Sequence, residues 1–171
     1  MDIPVIETER LRLRAPKMAD VEPYWVFSAS DNSRTVGGPF ARHTVFTRLS
    51  AIAGHWTLRG FGRWMIADKA TDEALGIVGP FFPDDWPEAE IAWTVFPNAE
   101  GKSVAFEAAK AARAFAYETL GWSTAVSCVA PDNPRSEALA KRMGCALEGA
   151  FEHDDYGVLN IWRHPAPEAL R

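Results

Sequence analysis

Ile91-Ala92-Trp93-Thr94-Val95-Phe96-Pro97-Asn98-Ala99-Glu100-Gly101-Lys102-Ser103-Val104-Ala105 is the stretch whose reading decides the fold. Its first part is apolar and β-favouring and is stopped by Pro97, so it reads as a strand over 90–95. A helix follows, from about residue 103 to 119, closed by Gly121. In such a junction the first helical N–H groups have no intrahelical partner, and the helix dipole adds positive potential. That makes a ready anion site, suited to a pyrophosphate, and Lys102 adds a formal charge. The same residues also read as an ordinary turn into a helix capped by Ser103, and the local pattern leaves both readings open.

Working outward, residues 64–68 and 75–81 read as a strand pair joined by the polar turn Lys69-Ala70-Thr71-Asp72-Glu73. Upstream, Val45, Leu49, Ile52 and Trp56 fall at helical spacing after Thr44. Asp20 is the candidate N-cap of an earlier helix, and Arg10-Leu11-Arg12-Leu13-Arg14 alternates as a strand. Downstream come strands over 124–129, 146–151 and 158–163, with a helix over 134–142 that Gly144 closes. The long helix carries Ala105, Ala108, Ala109, Ala112 and Ala116, small residues that let it lie close on a sheet. The order β-α-α-β-β-β-α-β-α-β-β predicts one α/β (α+β) domain over 1–171, with a mixed, largely antiparallel sheet of seven strands and about four helices. A doubly wound dinucleotide fold would alternate throughout.

Composition narrows the function. At 171 residues, 47% apolar, the chain can bury a full core without staples. A net charge of −5 with no basic run excludes a nucleic-acid wrapping surface. The two cysteines, Cys128 and Cys145, fit neither a disulfide framework nor a metal motif. The first residues have no signal pattern, and no run approaches the roughly 18 apolar residues of a membrane span, so a cytoplasmic protein without membrane or metal partners is expected.

Four segments together resemble the GNAT acetyltransferases, in particular the RimJ/RimL-like branch that acetylates ribosomal-protein N-termini. Glu100-Gly101-Lys102-Ser103-Val104-Ala105 resembles the family's Gln/Arg-x-x-Gly-x-Gly/Ala loop, with Glu100 where Gln or Arg is usual and Ser103 where Gly is usual. The opening Thr8-Glu9-Arg10-Leu11-Arg12-Leu13-Arg14, then Leu75-Gly76-Ile77-Val78-Gly79, then Asn133-Pro134-Arg135-Ser136 with Lys141 and Gly144, match further segments. The resemblance covers nearly the whole chain. It implies the GNAT acyl-CoA N-acyltransferase fold, acetyl-CoA as cosubstrate and a primary amine as acceptor.

It also implies roles. The backbone of Gly101, Lys102, Ser103, Val104 and Ala105 would hold the CoA pyrophosphate, and Asn133 the pantetheine arm. Asn133 before Pro134 is also a sound helix start by itself. A backbone N–H at Val95 would polarise the thioester carbonyl. Ser136 would protonate the leaving thiolate, since Ala140 stands where many relatives carry a tyrosine. A carboxylate from Glu90 or Asp155 is expected in the site as the base, with His153 a further candidate. The loops holding Asp84, Asp85, Glu88, Asp154 and Asp155 would attract a cationic amine if they border the acceptor channel. Trp56, Trp64, Trp86 and Trp93 read as core or loop anchors. The competing reading is a non-catalytic GNAT-fold binding module, suggested by Glu100, Ser103 and Ala140. The acceptor is expected to be an amine, on a protein N-terminus or a small molecule, and the protein a monomer or a homodimer.

Overall fold

The computed structural model describes residues 2–170. One sheet runs through it in the order β1-β2-β3-β4-β5-β6-β8-β7. The strands are β1 (Ile6–Glu7), β2 (Leu11–Arg14), β3 (Trp64–Asp68), β4 (Ala74–Phe81), β5 (Glu90–Val95), β6 (Val126–Val129), β7 (Ala146–His153) and β8 (Gly157–Arg163). The helices are α1 (Val21–Ser28), α2 (Arg42–Arg59), α3 (Val104–Glu118) and α4 (Pro134–Arg142). All strand pairs are antiparallel except β5 with β6. Among the described residues no helix is long and apolar enough to cross a membrane.

The sheet has eight strands, not seven, because the two-residue β1 pairs with Arg12 and Leu13, and two residues are too few to show an alternation. Asp20 is also not the N-cap expected of it. Its carboxylate accepts both Arg14 Nη1 and Nη2 at 2.9 Å and the Lys17 N–H at 2.7 Å, and makes no cap hydrogen bond to α1. That pairing lets Arg14, which alternation sets on the face opposite Leu11 and Leu13, sit buried.

The sheet buries two faces. Trp64, Ile66, Val78 and Ile91 pack under α3, whose Ala108, Ala109, Ala112 and Ala116 are fully buried. Met65 and Ile77 pack on the other face against Tyr24 and Phe27 of α1 and Val45, Leu49 and Ile52 of α2. Gly79, at φ +145°, has to be glycine, since a Cβ there would lie 2.8 Å from the Arg63 Cα.

The parallel pair is brief, with Glu90 opposite Val126 as its only register partner. Beyond it, side chains replace the ladder. The Glu90 carboxylate accepts the Cys128 N–H at 2.8 Å, and the Ser127 hydroxyl donates to the Ile91 carbonyl at 2.6 Å. His164 Nε2 lies 2.8 Å from the same hydroxyl, and since that hydroxyl donates to Ile91, the imidazole donates from Nε2. Its Nδ1 then accepts from Arg113 Nη1 at 3.2 Å. Past this bridge β5 and β6 separate, and the cleft opens between them.

Candidate active site

A cavity of about 730 Å³ lies where the strands separate, within the size range of small-molecule sites. It is bounded by the end of β5, the loop into α3, the first turns of α4 and the segment Asp31–Val36. Of the residues singled out from sequence, Val95, Gly101, Ser103, Val104, Ala105, Asn133 and Ser136 line it.

The loop-to-helix corner is built by backbone geometry. Gly101 (φ +73°) and Ser103 (φ +59°) both take left-handed conformations. Ser103 makes no side-chain cap, contrary to the simplest local reading, and its hydroxyl instead accepts from Arg142 Nη1 at 3.0 Å. The N–H groups of Val104, Ala105 and Phe106, all three cavity-lining residues, meet no protein acceptor among the described residues. The first helical bond at this end runs from Glu107 to the Ser103 carbonyl. Three free donors at the positive end of a fifteen-residue helix suit an anionic diphosphate.

Glu100 does not face this corner unpaired. Arg135 Nη1 meets its Oε2 at 2.7 Å, and Asn32 hydrogen-bonds its other oxygen. Lys102 stands outside the cavity wall, with its ammonium on the Asn98 carbonyl at 2.8 Å. Formal positive charge comes instead from Arg135 and Arg142, which line the cavity from α4. Sequence reasoning passed over both, although positions 135, 138, 139 and 142 share one helix face by spacing.

Asn133 caps α4, its Oδ1 accepting the Ser136 N–H at 3.2 Å. Trp93, read from sequence as an anchor, lines the cavity and donates Nε1–H to Ser136 Oγ at 3.2 Å. With that lone pair occupied, the serine hydroxyl proton is free to point elsewhere. Ala140 is fully buried in the core. Phe96 N–H bonds the Leu75 carbonyl on β4, so by strand alternation the N–H groups of Trp93 and Val95 point the other way, into the opening beside β6.

The three candidate bases stand apart from this wall. Asp155 is exposed in the β7–β8 turn, its N–H donating to His153 Nδ1 at 3.0 Å. His153 is held at its other nitrogen by Asp85 at 2.9 Å, so both ring nitrogens are engaged. Glu90 is buried, and burial pushes its carboxyl up to about 7, against the opposing pull of the Cys128 N–H, Arg63 and Trp86. Glu90, Ala92 and Thr94 share one face of β5, and Thr94 lines the cavity. The acidic loop residues are largely engaged, Asp84 with Arg59, Asp85 with His153 and Glu88 with Arg163.

A family model described as an acetyltransferase (GNAT) domain matches residues 10–146. An acetyltransferase from Agrobacterium tumefaciens is 36% identical, with a TM-score of 0.86 over 96% of both chains. A Vibrio cholerae protein described as a ribosomal-protein-serine acetyltransferase shares 18% identity and a TM-score of 0.78, over 95% of this chain and 98% of that one. A ribosomal L7/L12 α-N-protein acetyltransferase solved with coenzyme A shares 16% identity and a TM-score of 0.75, over 94% of this chain and 97% of that one.

Proposed function

This chain belongs to the GNAT acetyltransferase family, and from that membership we propose that it passes the acetyl group of acetyl-CoA to a primary amine by direct attack on the thioester. It is an acetyl-CoA-dependent N-acetyltransferase, which sets aside the non-catalytic binding module. The observation that carries the reading is the uncapped start of α3, with free N–H groups at Val104, Ala105 and Phe106 beside the cavity.

The residues fit the cosubstrate. The corner at Gly101 to Ala105, with Arg142 and Arg135, would hold the pyrophosphate. Asn133 would take the pantetheine arm, which enters between β5 and β6. Acetyl-CoA supplies the activated acyl group. The Val95 N–H would stabilise charge developing on the carbonyl oxygen. As the amine nitrogen bonds to the carbonyl carbon, the C–S bond breaks, and Ser136 would hand its hydroxyl proton to the departing sulfur. Glu90 receives the proton that the amine loses, for which a carboxyl near 7 is well matched at neutral pH. Asp155 lies farther out, and Lys102 contributes its backbone rather than its charge.

The relatives named for ribosomal-protein acetylation support the RimJ/RimL-like branch as the nearest description, with a protein N-terminus or a small molecule as acceptor. The test is thermal unfolding with acetyl-CoA, CoA or ATP. Ligand at 100 times its Kd stabilises by about 2.7 kcal/mol. That is a shift of several degrees, at roughly 2–4 °C per kcal/mol for this size. A shift with both CoA species and none with ATP is expected. Equal shifts with all three, or none at millimolar ligand, would remove the cosubstrate assignment.

A further inference from the structure

The register of β4 and β5 pairs Ile77 with Thr94, Gly79 with Ala92 and Phe81 with Glu90. Ile77 belongs to the core under α1 and α2, so Thr94, Ala92 and Glu90 present their side chains on that side of the sheet. Ala92 is partly exposed, although it lies mid-strand in the interior of an eight-stranded sheet. The cavity reaches this face at Phe27, Thr35, Val36 and Thr94, and the partly exposed Ala92 follows Thr94 along the same face of β5. The floor there is small, Ala92 beside Gly79, and Arg63 lies against Gly79.

The Arg63 guanidinium stacks 4.0 Å from the Phe81 ring centroid, and Tyr24, Glu90, Tyr156 and Arg48 surround it closely enough to act on its charge. Arg48 comes from α2 and stacks 3.8 Å from the Phe40 ring centroid. At Gly37 a Cβ would stand 3.3 Å from Tyr156 Cε1 and 3.7 Å from Arg48 Nη2, so the three meet at one corner. Other enclosed arginines of this protein are tied down. Arg14 holds Asp20 and Asp72, Arg113 holds the Met143 carbonyl, and Arg163 holds Glu88 and Glu148. Arg48 and Arg63 stack on aromatic rings instead, and among the described residues neither has an acidic partner within ion-pair distance, Glu90 acting on Arg63 from farther off. Two cations on the same side of the sheet, neither ion-paired, suit an anion, and the planar guanidinium is matched to a carboxylate.

We propose that Arg48 and Arg63 bind a carboxylate of the acceptor, so that the acceptor is a small α-amino-acid-like molecule and not a peptide N-terminus. The inference rests on the acetyl-transfer reading and names the substrate of that same site. A zwitterion fits the cleft at both ends, its carboxylate toward the two arginines and its amine toward Glu90 and the thioester. In a peptide or an amino-acid amide, a neutral amide replaces the carboxylate.

The experiment measures CoA release from acetyl-CoA with matched acceptors: common amino acids, their amides, the corresponding decarboxylated amines, and short peptides. The best amino acid should exceed its amide and its amine by about ten-fold or more in kcat/KM. Arg48→Gln and Arg63→Met should each raise KM for the acid and bring it down to the level of its amide. A retained thermal shift with acetyl-CoA shows that each variant is folded, and Arg48, on a helix surface, gives a second reading if Arg63→Met fails to fold. The same acceptors are also read by thermal shift on CoA-loaded protein, which registers binding without turnover. Amides or peptides that match the acids, a preference that survives both variants, or no carboxylate-dependent shift for any acid would each overturn the carboxylate site. The acetyl-CoA shift reports separately on the acetyl-transfer reading.

Discussion

Glu90 carries two duties that one substitution separates. Its carboxylate accepts the Cys128 N–H, which a glutamine oxygen can also do, but only the carboxylate can receive a proton. Because burial raises it to about 7, activity should climb as pH rises through that value. Glu90→Gln should lower kcat by about 10²-fold or more and flatten that limb of the pH–rate profile. Full activity across pH 6–9 would show that Glu90 is not the base. Glu100 makes the complementary case at the other end of the cavity. Its carboxylate occupies Arg135, a cation that an incoming pyrophosphate would otherwise take. Glu100→Gln should therefore tighten CoA binding by about ten-fold, or ~1.4 kcal/mol, in calorimetric titration. Weaker binding would mean instead that the Glu100–Arg135 pair holds the corner in shape. Ser136 was singled out by family resemblance, the Ser103 cap expected from local pattern is absent, and only the Asn133 cap was legible, from its place before a proline. Arg48, Arg63 and Trp93 were not, since each becomes informative only when separate elements bring its neighbours together.

Among elements, the junction of β5 and β6 decides whether the cleft exists. Two strands that separate leave backbone groups without ladder partners, and buried groups of that kind must be satisfied by something else. Ser127 does this for the Ile91 carbonyl and also receives the His164 Nε2–H. Ser127→Ala should leave both without partners and cost about 1–3 kcal/mol, seen as a fall of several degrees in Tm. An unchanged Tm would mean that the strands re-pair and the cleft narrows, which a weaker affinity for CoA would then reveal. The periodic elements were legible to within about two residues: α2 was expected from Thr44 and begins at Arg42, and α3 was expected from Ser103 and begins at Val104. The failures have a common cause. Alternation set Arg14 on the face opposite Leu11 and Leu13 and cap statistics placed Asp20 at α1, but the two side chains pair with each other, a contact that no local pattern encodes. The side chains that bridge β5 and β6 where they separate had no signature in the sequence.

For the whole molecule, the succession of elements along the chain and the fold class were legible because hydrophobic period and turn chemistry agree along nearly the entire chain, the short β1 excepted. What the molecule does with its buried charge was not legible, and it leads to a prediction about stability. Glu90 has its carboxyl raised from 4.5 to about 7 on folding, so the folded protein holds an extra proton between those values and loses stability as pH rises through them. His164 runs the other way. Burial, then Arg113 and Arg163, lower it from 6.5 to about 3, so stability is lost as pH falls below 6.5. His55, also lowered by burial, adds to the same side. Between pH 4.5 and 6.5 Glu90 thus opposes the two histidines, and the wild-type stability curve is shallow there. Glu90→Gln should steepen its rise by up to ~1.4 kcal/mol per pH unit, and His164→Asn should flatten or reverse it. Denaturant unfolding at a series of pH values measures both slopes, and parallel curves for wild type and Glu90→Gln would contradict the assignment. Above pH 7 the same linkage makes Glu90→Gln the more stable protein, by ~3 kcal/mol at most, while its acetyl transfer is the slower. A variant that gains stability as it loses activity is the behaviour of a charge kept buried for chemistry rather than for the fold.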